Sequence, residues 1–582
     1  MKVGVDLTAL LVQDQIPFNS DGLAVVGPGG NCTVNGVLGS NNCSDLANYI
    51  DDFTGLGTTA SIAKQFGNPR LSTPTSQQAY YFQDSWKIRP TFTLEYGVRY
   101  EYQPPDAENG LQFPGISRAN PFTFQTRDEV KPYRNAWGPR LGFSYAPRFW
   151  QSLFGENKTV IRAGAGVFYD TFFTNISNNT AANSPNSVGA TLFGSSVGGR
   201  GIPQMLEGIA AITPLARPTA QQEPVVDNLR NPRIYQWNLN VQRELPGKFI
   251  AQAAYVGTRG TGLFDNEQFN PGIFSGSPFG LTRLNPNFGS IIVRANRGDS
   301  TYHGLQTEVT RNVRRLSMRA AYTWSRAIDN ASEIFTNTGG SSFWQNLRDP
   351  RSDRGPSAFN HTNVAAFTWV YALPDPSKPF LNQAFGGWLT SGSIVLQSGA
   401  PETLYFGGLD VNGDGQGNDR PSVLNARAPI NVSPACLNNP TCVTGIAIND
   451  PNPADFGSAG LFDLEQAFFG INGGQVLPVS ANQVHYVANA GQNGNVGRNS
   501  IYLPGLEQYN LSVIKRFKIP IREGHQLEFR ADFLNAFNHM NAGQNNIVGY
   551  GNLLNPGFGV LGSKNLTLDG GRSIQVWMKY SF

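Results

Sequence analysis

The sequence predicts an all-β protein, an antiparallel up-and-down transmembrane β-barrel with about fourteen recognisable strands. Three observations predict it. Polar and apolar residues alternate with period two from end to end of the 582 residues. The alternating runs are about ten residues long, which is the length of a tilted strand that crosses a bilayer. The connections between the runs are alternately short and long.

The alternation is clear in TFTLEYGVRYEY, where Phe92, Leu94 and Tyr96 face one way while Thr93 and Glu95 face the other. No stretch approaches the roughly 20 apolar residues of a transmembrane helix. The predicted strands cover residues 2–12, 79–89, 91–103, 139–146, 159–169, 234–245, 248–258, 302–311, 316–326, 361–372, 386–397, 508–519, 525–537 and 573–582.

Long and short connections alternate along the whole chain. Membrane barrels join their strands by short periplasmic turns and longer extracellular loops. We therefore expect one barrel domain over residues 1–582, with long extracellular loops near 13–78, 170–233 and 398–507. The last strand would run inward and close onto the first, because a membrane barrel leaves no open edge. A large β-sandwich shows similar alternation, but its strands are shorter.

Composition excludes several function classes. Only 15% of the residues are charged and the formal net charge is +3, so no basic field is available to bind nucleic acid. The five histidines are dispersed. The motif at 194–198 matches G-x-S-x-G but lies in a Ser/Asn/Gly-rich segment without the strand and helix that a nucleophile elbow needs. We predict that the protein is not an enzyme.

The four cysteines form two close pairs, Cys32 with Cys43 and Cys436 with Cys442, in Asn/Gly/Pro-rich sequence. Neither spacing matches a zinc knuckle. The pattern favours two local disulfides, which are typical of an oxidising compartment outside the cytoplasm. The alternative is four unpaired loop thiols.

The segment DVNGDG reproduces the first half of an EF-hand-type calcium loop, with oxygen ligands at alternate positions and glycine at position 6. Pro421 stands at position 12 in place of the bidentate glutamate. A structural calcium ion is the only cofactor that the sequence suggests, and the alternative is a turn held by its own side-chain hydrogen bonds. The candidate ligands are Asp410, Asn412, Asp414, Asn418 and Asp419.

Several segments resemble the C-terminal barrel of TonB-dependent receptors of the Oar-like group. They are AYYFQDSWKIRPTFTLEYGVRYEY (79–102), RDPRSDRGPSAFNHTN (348–363), DVNGDGQGNDRPS (410–422), GNVGRNSIYLPGLEQYNLSVIKRF (494–517) and LEFRADFLNAFNHMN (527–541). The terminal aromatic Phe582, with Tyr580 in the same row, is similar to the assembly signal of outer-membrane barrels.

The resemblance implies a 22-stranded barrel in the outer membrane, preceded in the family by a signal peptide, a carboxypeptidase-regulatory-like domain and a plug with a TonB-contacting segment. This chain shows none of these, so we expect it to comprise roughly the last fourteen strands. The implied function is binding and import of a bulky ligand. The implied partners are outer-membrane lipid, the barrel assembly machinery, an extracellular ligand and, where a plug is supplied, the TonB energy-coupling complex.

Two other functions remain open at this stage. One is a passive or adhesive outer-membrane barrel whose long loops bind a partner at the cell surface. The other is a soluble extracellular β-rich enzyme, which is disfavoured because no catalytic set can be assembled from the sequence. Nothing in these motifs specifies the ligand.

Overall fold

The computed structural model consists of one large antiparallel sheet with loop segments at one of its ends. Among the residues that it describes, no helix is both long enough and apolar enough to span a membrane. The described residues are 1–15, 23–25, 31–34, 37–40, 61–67, 70–103, 113–114, 126–127, 133–172, 176, 183, 187–193, 223–226, 229–274, 281–286, 288–333, 344–346, 349–405, 412, 414, 416–417, 419–423, 446–448, 486–488, 493–503, 505–519, 525–539, 541 and 571–582.

Fourteen strands pair in chain order to form the sheet, and a short strand, Gly355–Pro356, pairs with one of them. The fourteen are β1 (Lys2–Gln15), β2 (Arg70–Arg89), β3 (Phe92–Tyr102), β4 (Trp137–Tyr145), β5 (Thr159–Tyr169), β6 (Arg233–Leu245), β7 (Phe249–Gln268), β8 (Ile292–Val313), β9 (Leu316–Asp329), β10 (Asn363–Ala372), β11 (Trp388–Gln397), β12 (Leu506–Lys518), β13 (Gln526–Leu534) and β14 (Ser573–Ser581).

Each strand is antiparallel to its neighbour in sequence, which is the up-and-down order predicted from the alternating connections. In β4, for example, Arg140 lies opposite Gly97 of β3 on one side and Gly166 of β5 on the other. All fourteen predicted strands are present at the predicted places. The sequence therefore predicted both the fold class and the strand order correctly.

The register places the apolar residues of successive strands in one row across the sheet. Leu239 pairs with Tyr255, Tyr255 with Leu305, and Leu305 with Trp324. Large apolar side chains of this row are exposed; Trp324, for example, is 58% exposed and Val576 73%. Such a band is the surface that a membrane barrel presents to lipid.

The opposite row is polar and carries ion pairs between neighbouring strands. Arg319 of β9 contacts Glu308 of β8 at 2.7 Å, and Arg516 of β12 contacts Glu528 of β13 at 2.6 Å. Glycines also lie in this row; a Cβ on Gly97 would stand 2.6 Å from the carbonyl oxygen of Phe82, so no larger residue fits there without a shift. The polar row is the one expected to face the barrel lumen.

The connections at one end of the sheet, the short-turn end, are brief. They include a 3-10 turn at Pro246–Lys248 and the two-residue turn between β8 and β9. The two longest of them contain a short helix each, α1 (Gln151–Phe154) and α2 (Pro379–Phe385). Lys248 (φ 62°) and Arg314 (φ 51°) take left-handed backbone conformations that tight turns require.

The opposite end, the long-loop end, carries short accessory strands. Two of them, Ser61–Gly67 and Ser187–Phe193, join the predicted loops 13–78 and 170–233 to each other. A 3-10 turn lies at Pro350–Asp353. The remaining strands are Leu23–Val25, Asn31–Val34, Val37–Ser40, Phe113–Pro114, Thr126–Arg127, Gly272–Phe274, Leu281–Arg283, Pro401–Glu402, Ser422–Val423, Ile446–Ile448, Tyr486–Ala488 and Ile501–Tyr502.

Strands β7 and β8 are about twice as long as predicted, because they keep pairing to Gln268 and from Ile292 at the long-loop end. In the extension Ile291 and Val293 are buried against loop side chains. This packing takes the place of the lipid contact that apolar residues make in the membrane-spanning part of the strands. Its polar segment 265–268 breaks the period-two pattern, so the sequence did not reveal it. Strands β1 and β2 likewise extend beyond the prediction, to Gln15 and from Arg70.

The expected closure of the last strand onto the first is not present. Among the described strands, β1 pairs with β2 only and β14 with β13 only, so both edges of the sheet are open. Closure requires strand number, tilt and stagger to be mutually consistent. The two edge strands differ in length, with 14 residues in β1 and 9 in β14.

Candidate functional site

Four charged side chains, each at most 10% exposed, lie close together at the long-loop end, near the ends of β9 to β12. We call Asp329, Asp353, Arg420 and Arg498 the loop junction. Asp329 is the last residue of β9, and Asp353 ends the 3-10 turn in the β9–β10 connection. Arg420 and Arg498 both come from the long β11–β12 connection. The fold thus brings together residues from two loops that are far apart in sequence.

The first ion pair of the loop junction joins Arg420 to Asp353. Their closest atoms, Nη1 and Oδ1, lie 2.6 Å apart, and the two side chains are only 6% and 3% exposed. The other carboxylate oxygen of Asp353 accepts the backbone N–H of Gln345 at 2.9 Å, and Arg420 Nε donates to the carbonyl of Val496 at 2.8 Å. Both buried charges therefore have hydrogen-bond partners, as burial of an ion pair requires.

The second ion pair joins Arg498 to Asp329. Arg498 Nη2 donates to the Asp329 side chain and, at 2.7 Å, to its carbonyl oxygen. Its Nε donates to the carbonyl of Asp353 at 2.8 Å, and its Nη1 to Ser332 Oγ at 3.0 Å. One guanidinium thus holds the end of β9 and the 3-10 turn at once, using the planar fork of donors that lysine lacks.

Asn499 and Gly355, which both lie beside Arg498, add to the contact between the two loops. Asn499, in a left-handed conformation (φ 53°), donates from Nδ2 to the carbonyl of Pro356 at 2.7 Å and accepts from Thr403 Oγ1 at 2.7 Å. A Cβ on Gly355 would stand 2.5 Å from the carbonyl oxygen of Arg498, so only glycine permits this approach.

The predicted calcium loop lies beside the loop junction. Asp414 N–H donates to Asn412 Oδ1 at 2.8 Å, and Gln416 N–H donates to Asp414 Oδ1 at 2.9 Å. Asn412 N–H donates to Asp419 Oδ2 at 2.9 Å. These are the hydrogen bonds of the alternative, a turn rich in Asx residues. Asp410 and Asn418 lie outside the described residues, so calcium binding stays a prediction. Within the described ranges no group of three or more His, Cys, Asp or Glu side chains is placed to hold a metal ion.

A second buried set lies in the extension of β7 and β8, beyond the predicted membrane span. Asp265 Oδ1 accepts the Arg297 N–H at 2.5 Å, and Arg297 Nη1 contacts Glu267 at 3.0 Å. Burial raises the pKa of Asp265 to about 7, and the nearby Glu267 charge acts in the same direction. The Arg297 guanidinium also lies over the Trp344 ring, 4.9 Å from its centroid.

The other predicted site residues lie apart from the loop junction. Cys32 belongs to the short strand Asn31–Val34, whereas Cys43, Cys436 and Cys442 lie outside the described residues, and the disulfides stay predictions. At the short-turn end the Tyr580 hydroxyl contacts His525 Nδ1, and the Phe582 ring lies 5.9 Å from that of Tyr580. Their role as an assembly signal also stays a prediction.

Three of the four loop-junction residues, Asp353, Arg420 and Arg498, lie in segments that carry the family resemblance, and Asp329 lies outside them; the sequence pattern predicted no role for any of the four. A signal was present, since Asp353, Arg420 and Arg498 are charges within Gly/Asn-rich loops. Their pairing could not be read from the sequence, because Arg498 and Asp329 are 169 positions apart.

Comparison with known proteins decides what kind of barrel this is. Residues 1–575 match the family model described as "Outer membrane beta barrel domain". The chain belongs to this family. The protein is therefore an outer-membrane β-barrel, and its apolar row faces the lipid of the outer membrane. A search of curated proteins found no match.

Solved structures with a similar arrangement include the outer membrane transporter YddB from Escherichia coli, at 12% identity and a TM-score of 0.43 over 90% of this chain and 47% of that one. The siderophore receptor PirA from Acinetobacter baumannii is 8% identical, with a TM-score of 0.37 over 90% and 51%. A mutant ferric enterobactin receptor, PfeA, from Pseudomonas aeruginosa, in complex with enterobactin, is 10% identical, with a TM-score of 0.40 over 90% and 51%. The chain spans about half the length of these structures.

Proposed function

We propose that this outer-membrane barrel is the barrel of a TonB-dependent receptor of the Oar-like group, which binds a bulky ligand at its long-loop end and imports it without chemical conversion. The observation that carries the proposal is the loop junction. Three of the segments on which the family resemblance rests, 348–363, 410–422 and 494–517, converge there on two buried ion pairs.

The loop junction gives the long-loop end a fixed shape. Its ion pairs and several of its hydrogen bonds join different segments, since Arg498 contacts both the end of β9 and the 3-10 turn. Loops held in place lose less conformational entropy when they bind a ligand, which favours binding. The charged side chains are nearly buried, so they position the loops, and more exposed side chains around them would contact the ligand.

The polar row supports passage through the barrel. Along β1 to β6 it lines a cavity of about 850 Å³, whose lining residues include Glu95, Arg99, Arg140 and Arg162. A sheet of this width with a polar inner face is typical of wide barrels, whose interior is an aqueous channel or is filled by a plug. Energy coupling through TonB would need such a plug.

Expression in a Gram-negative host tests the proposal, with vancomycin as the probe because it crosses an intact outer membrane poorly. The chain is exported behind a host signal peptide, either alone or, as an extended product, together with any plug that the genomic sequence upstream of it encodes. We expect the chain alone to sensitise cells to vancomycin. We expect the extended product to remove the sensitivity and to bind the purified periplasmic domain of TonB.

A passive or adhesive barrel gives a different pattern. An adhesive barrel with a side-chain-filled lumen would leave vancomycin sensitivity unchanged in both forms. A passive pore would sensitise cells in both forms. Failure of the extended product to bind TonB, with the barrel folded and heat-modifiable on gels, would reject the proposal of energy-coupled import.

A further inference from the structure

The short-turn end carries a concentration of positive charge. Its described acidic residues are few, namely Glu95, Glu156, Glu244, Asp375 and Glu528. Its described cations outnumber them by a wide margin, although the chain as a whole has nearly equal numbers of each sign, with 44 Lys and Arg and 41 Asp and Glu. These cations are Lys87, Arg89, Arg148, Lys158, Arg243, Lys248, Arg311, Arg314, Arg315, Lys378, Lys515, Arg516 and Lys579.

Several of these cations belong to the lipid-facing row or to the turn tips. Arg243 pairs with Thr159, and Arg311 pairs with Phe249, all in the same row as Leu239 and Tyr255. The Arg311 guanidinium lies 4.9 Å from the centroid of the Phe249 ring. The tips add Lys248, Arg314 and Arg315, all of them exposed. The charge is therefore placed around the outside of the barrel and not only within its lumen.

Helix α2 is held against the same outer surface. Lys515, which pairs with Phe529 in the lipid-facing row, donates from Nζ to the carbonyls of Ala384, at 3.0 Å, and Gly386. Trp388 Nε1 donates to the Ala384 carbonyl at 3.1 Å. These three hydrogen bonds satisfy carbonyls at the helix C-terminus, which have no partners within the helix. The helix is thus fixed beside the barrel, where the membrane interface lies.

Both helices expose apolar side chains. Phe380 of α2 is 83% exposed and Phe385 is 63% exposed; beside α1, Trp150 is 69% exposed. Helix α1 lies on the outer face too, because Phe149 stacks against Tyr145 of the lipid-facing row with ring centroids 6.5 Å apart. Exposed aromatics flanked by Lys and Arg are the composition of segments that lie in a membrane interface and bind anionic lipids.

We propose that this surface, formed by α1, α2 and the basic turn tips of the short-turn end, is a binding site for anionic phospholipid headgroups of the periplasmic leaflet. We call it the basic collar. Short turns face the periplasm in barrels of this kind, and basic clusters at a membrane surface bind acidic headgroups. The aromatic side chains would insert between acyl chains while the cations contact the headgroup phosphates. This inference rests on the barrel and its orientation and does not depend on transport.

The test measures the binding of phosphatidylglycerol and phosphatidylcholine to the purified full chain by native mass spectrometry, with the loss of heat-modifiable migration as a second readout. We expect phosphatidylglycerol to bind more tightly and to raise the unfolding temperature more than phosphatidylcholine. In the triple variant Lys248→Gln, Arg314→Gln, Arg315→Gln, the affinity for phosphatidylglycerol should fall about fivefold for each charge removed, if the cations act independently. Binding of phosphatidylcholine should be unchanged.

The control is Arg326→Gln, which removes an exposed cation near the long-loop end of β9 and should leave phosphatidylglycerol binding as it is. Inorganic phosphate at the same concentration should not stabilise the protein, since it lacks the acyl chains that the aromatic side chains would contact. Equal binding of the two lipids by the parent chain would overturn the proposal. So would an equal loss in the triple variant and the control. A change in gel migration between unheated and heated samples confirms that each variant is folded.

Discussion

Arg498 and Asp329 form a buried ion pair that ties the end of β9 to the loop before β12, across 169 positions of the chain. Between the strands that these residues flank lie β10 and β11, so the pair fastens the loops above four neighbouring strands. The strands of a membrane barrel are stabilised by lipid contact and by backbone pairing. Its loops lie in water and lack the lipid contact, and here buried ion pairs hold them together.

The first prediction concerns this ion pair. Arg498→Ala removes the charged partner of the buried Asp329 carboxylate and the Arg498 donor to the Asp353 carbonyl, and breaking a buried pair costs about 3–5 kcal/mol. Because the loss is local, we expect the long loops to open without unfolding of the barrel. Limited proteolysis of the purified protein should cut the 398–507 loop faster in the variant, while heat-modifiable migration is retained.

Arg354→Ala is the matched control for that prediction. Arg354 contacts Asp299 at 2.6 Å near the loop junction, but its side chain is 41% exposed. An exposed pair of this kind contributes about 0–1 kcal/mol. Proteolysis of Arg354→Ala should therefore follow the parent chain. Equal cleavage rates in parent, control and Arg498→Ala would show that the loop junction does not hold the loops.

The second prediction concerns pH. The folded-state pKa of Asp265 is raised to about 7 by burial, well above the ordinary value of 3.8. Between about pH 4 and pH 7 the folded state thus holds a proton that the unfolded chain has already released, so the stability of the β7–β8 extension falls as pH rises through this window. The slope for one proton is about 1.4 kcal/mol per pH unit. Above pH 7 this contribution is constant.

Hydrogen exchange of the β7–β8 extension measures the effect. We expect the protection of residues 263–268 and 292–298 to fall between pH 5 and pH 7 in the parent chain. The substitution Asp265→Asn keeps a neutral polar side chain and should remove most of the pH dependence. Arg294, Arg297 and Glu267 face the same carboxylate and are unchanged in both proteins. A pH dependence that survives in Asp265→Asn would assign it to another group.

The third prediction concerns calcium. Position 12 of the loop lacks its bidentate carboxylate, which predicts weak affinity in the millimolar class of extracellular modules. Titration calorimetry with calcium on the purified barrel should give a binding heat that Asp410→Ala and Asp414→Ala remove. If all three proteins give the same heat, the loop is only the Asx-rich turn that its described hydrogen bonds form.

The fourth prediction concerns orientation. Cysteines introduced by Phe359→Cys at the long-loop end, or at Asn186 and Asn452 in the long loops, should react with a membrane-impermeant thiol reagent on intact cells, each compared with the parent chain. Lys378→Cys at the short-turn end should react only after the outer membrane is opened. The reverse pattern would invert the barrel and place the basic collar at the cell surface.

The wall of the barrel could be predicted from the sequence, whereas the long-loop end could not. Period-two alternation is a local signal, and it located β3, β6 and β13 within a few residues because each strand faces lipid on one side and the lumen on the other. The extension to Gln268 and the pair Arg498–Asp329 depend on contacts between distant segments. Their residues follow no period, so only the folded chain reveals them.

The last prediction concerns the end of the chain. Phe582 is 92% exposed, and its ring lies beside the rings of Tyr580 and His525, at 5.9 Å and 6.4 Å between centroids. A fully buried phenylalanine side chain contributes about 2–3 kcal/mol, and this one contributes far less to the folded barrel. Deleting Phe582 should therefore leave the inserted protein heat-modifiable. We expect the deletion to impair assembly into the outer membrane, because Phe582 is exposed where the assembly machinery would recognise it. Cell fractionation should show less barrel in the outer membrane and more degraded precursor in the periplasm.

Ile574→Ala is the control for the deletion of Phe582. It removes apolar surface from the same exposed row of β14 without changing the terminus, so its outer-membrane level should match that of the parent chain. Unchanged levels after deletion of Phe582 would show that the terminal aromatic has no assembly role in this protein.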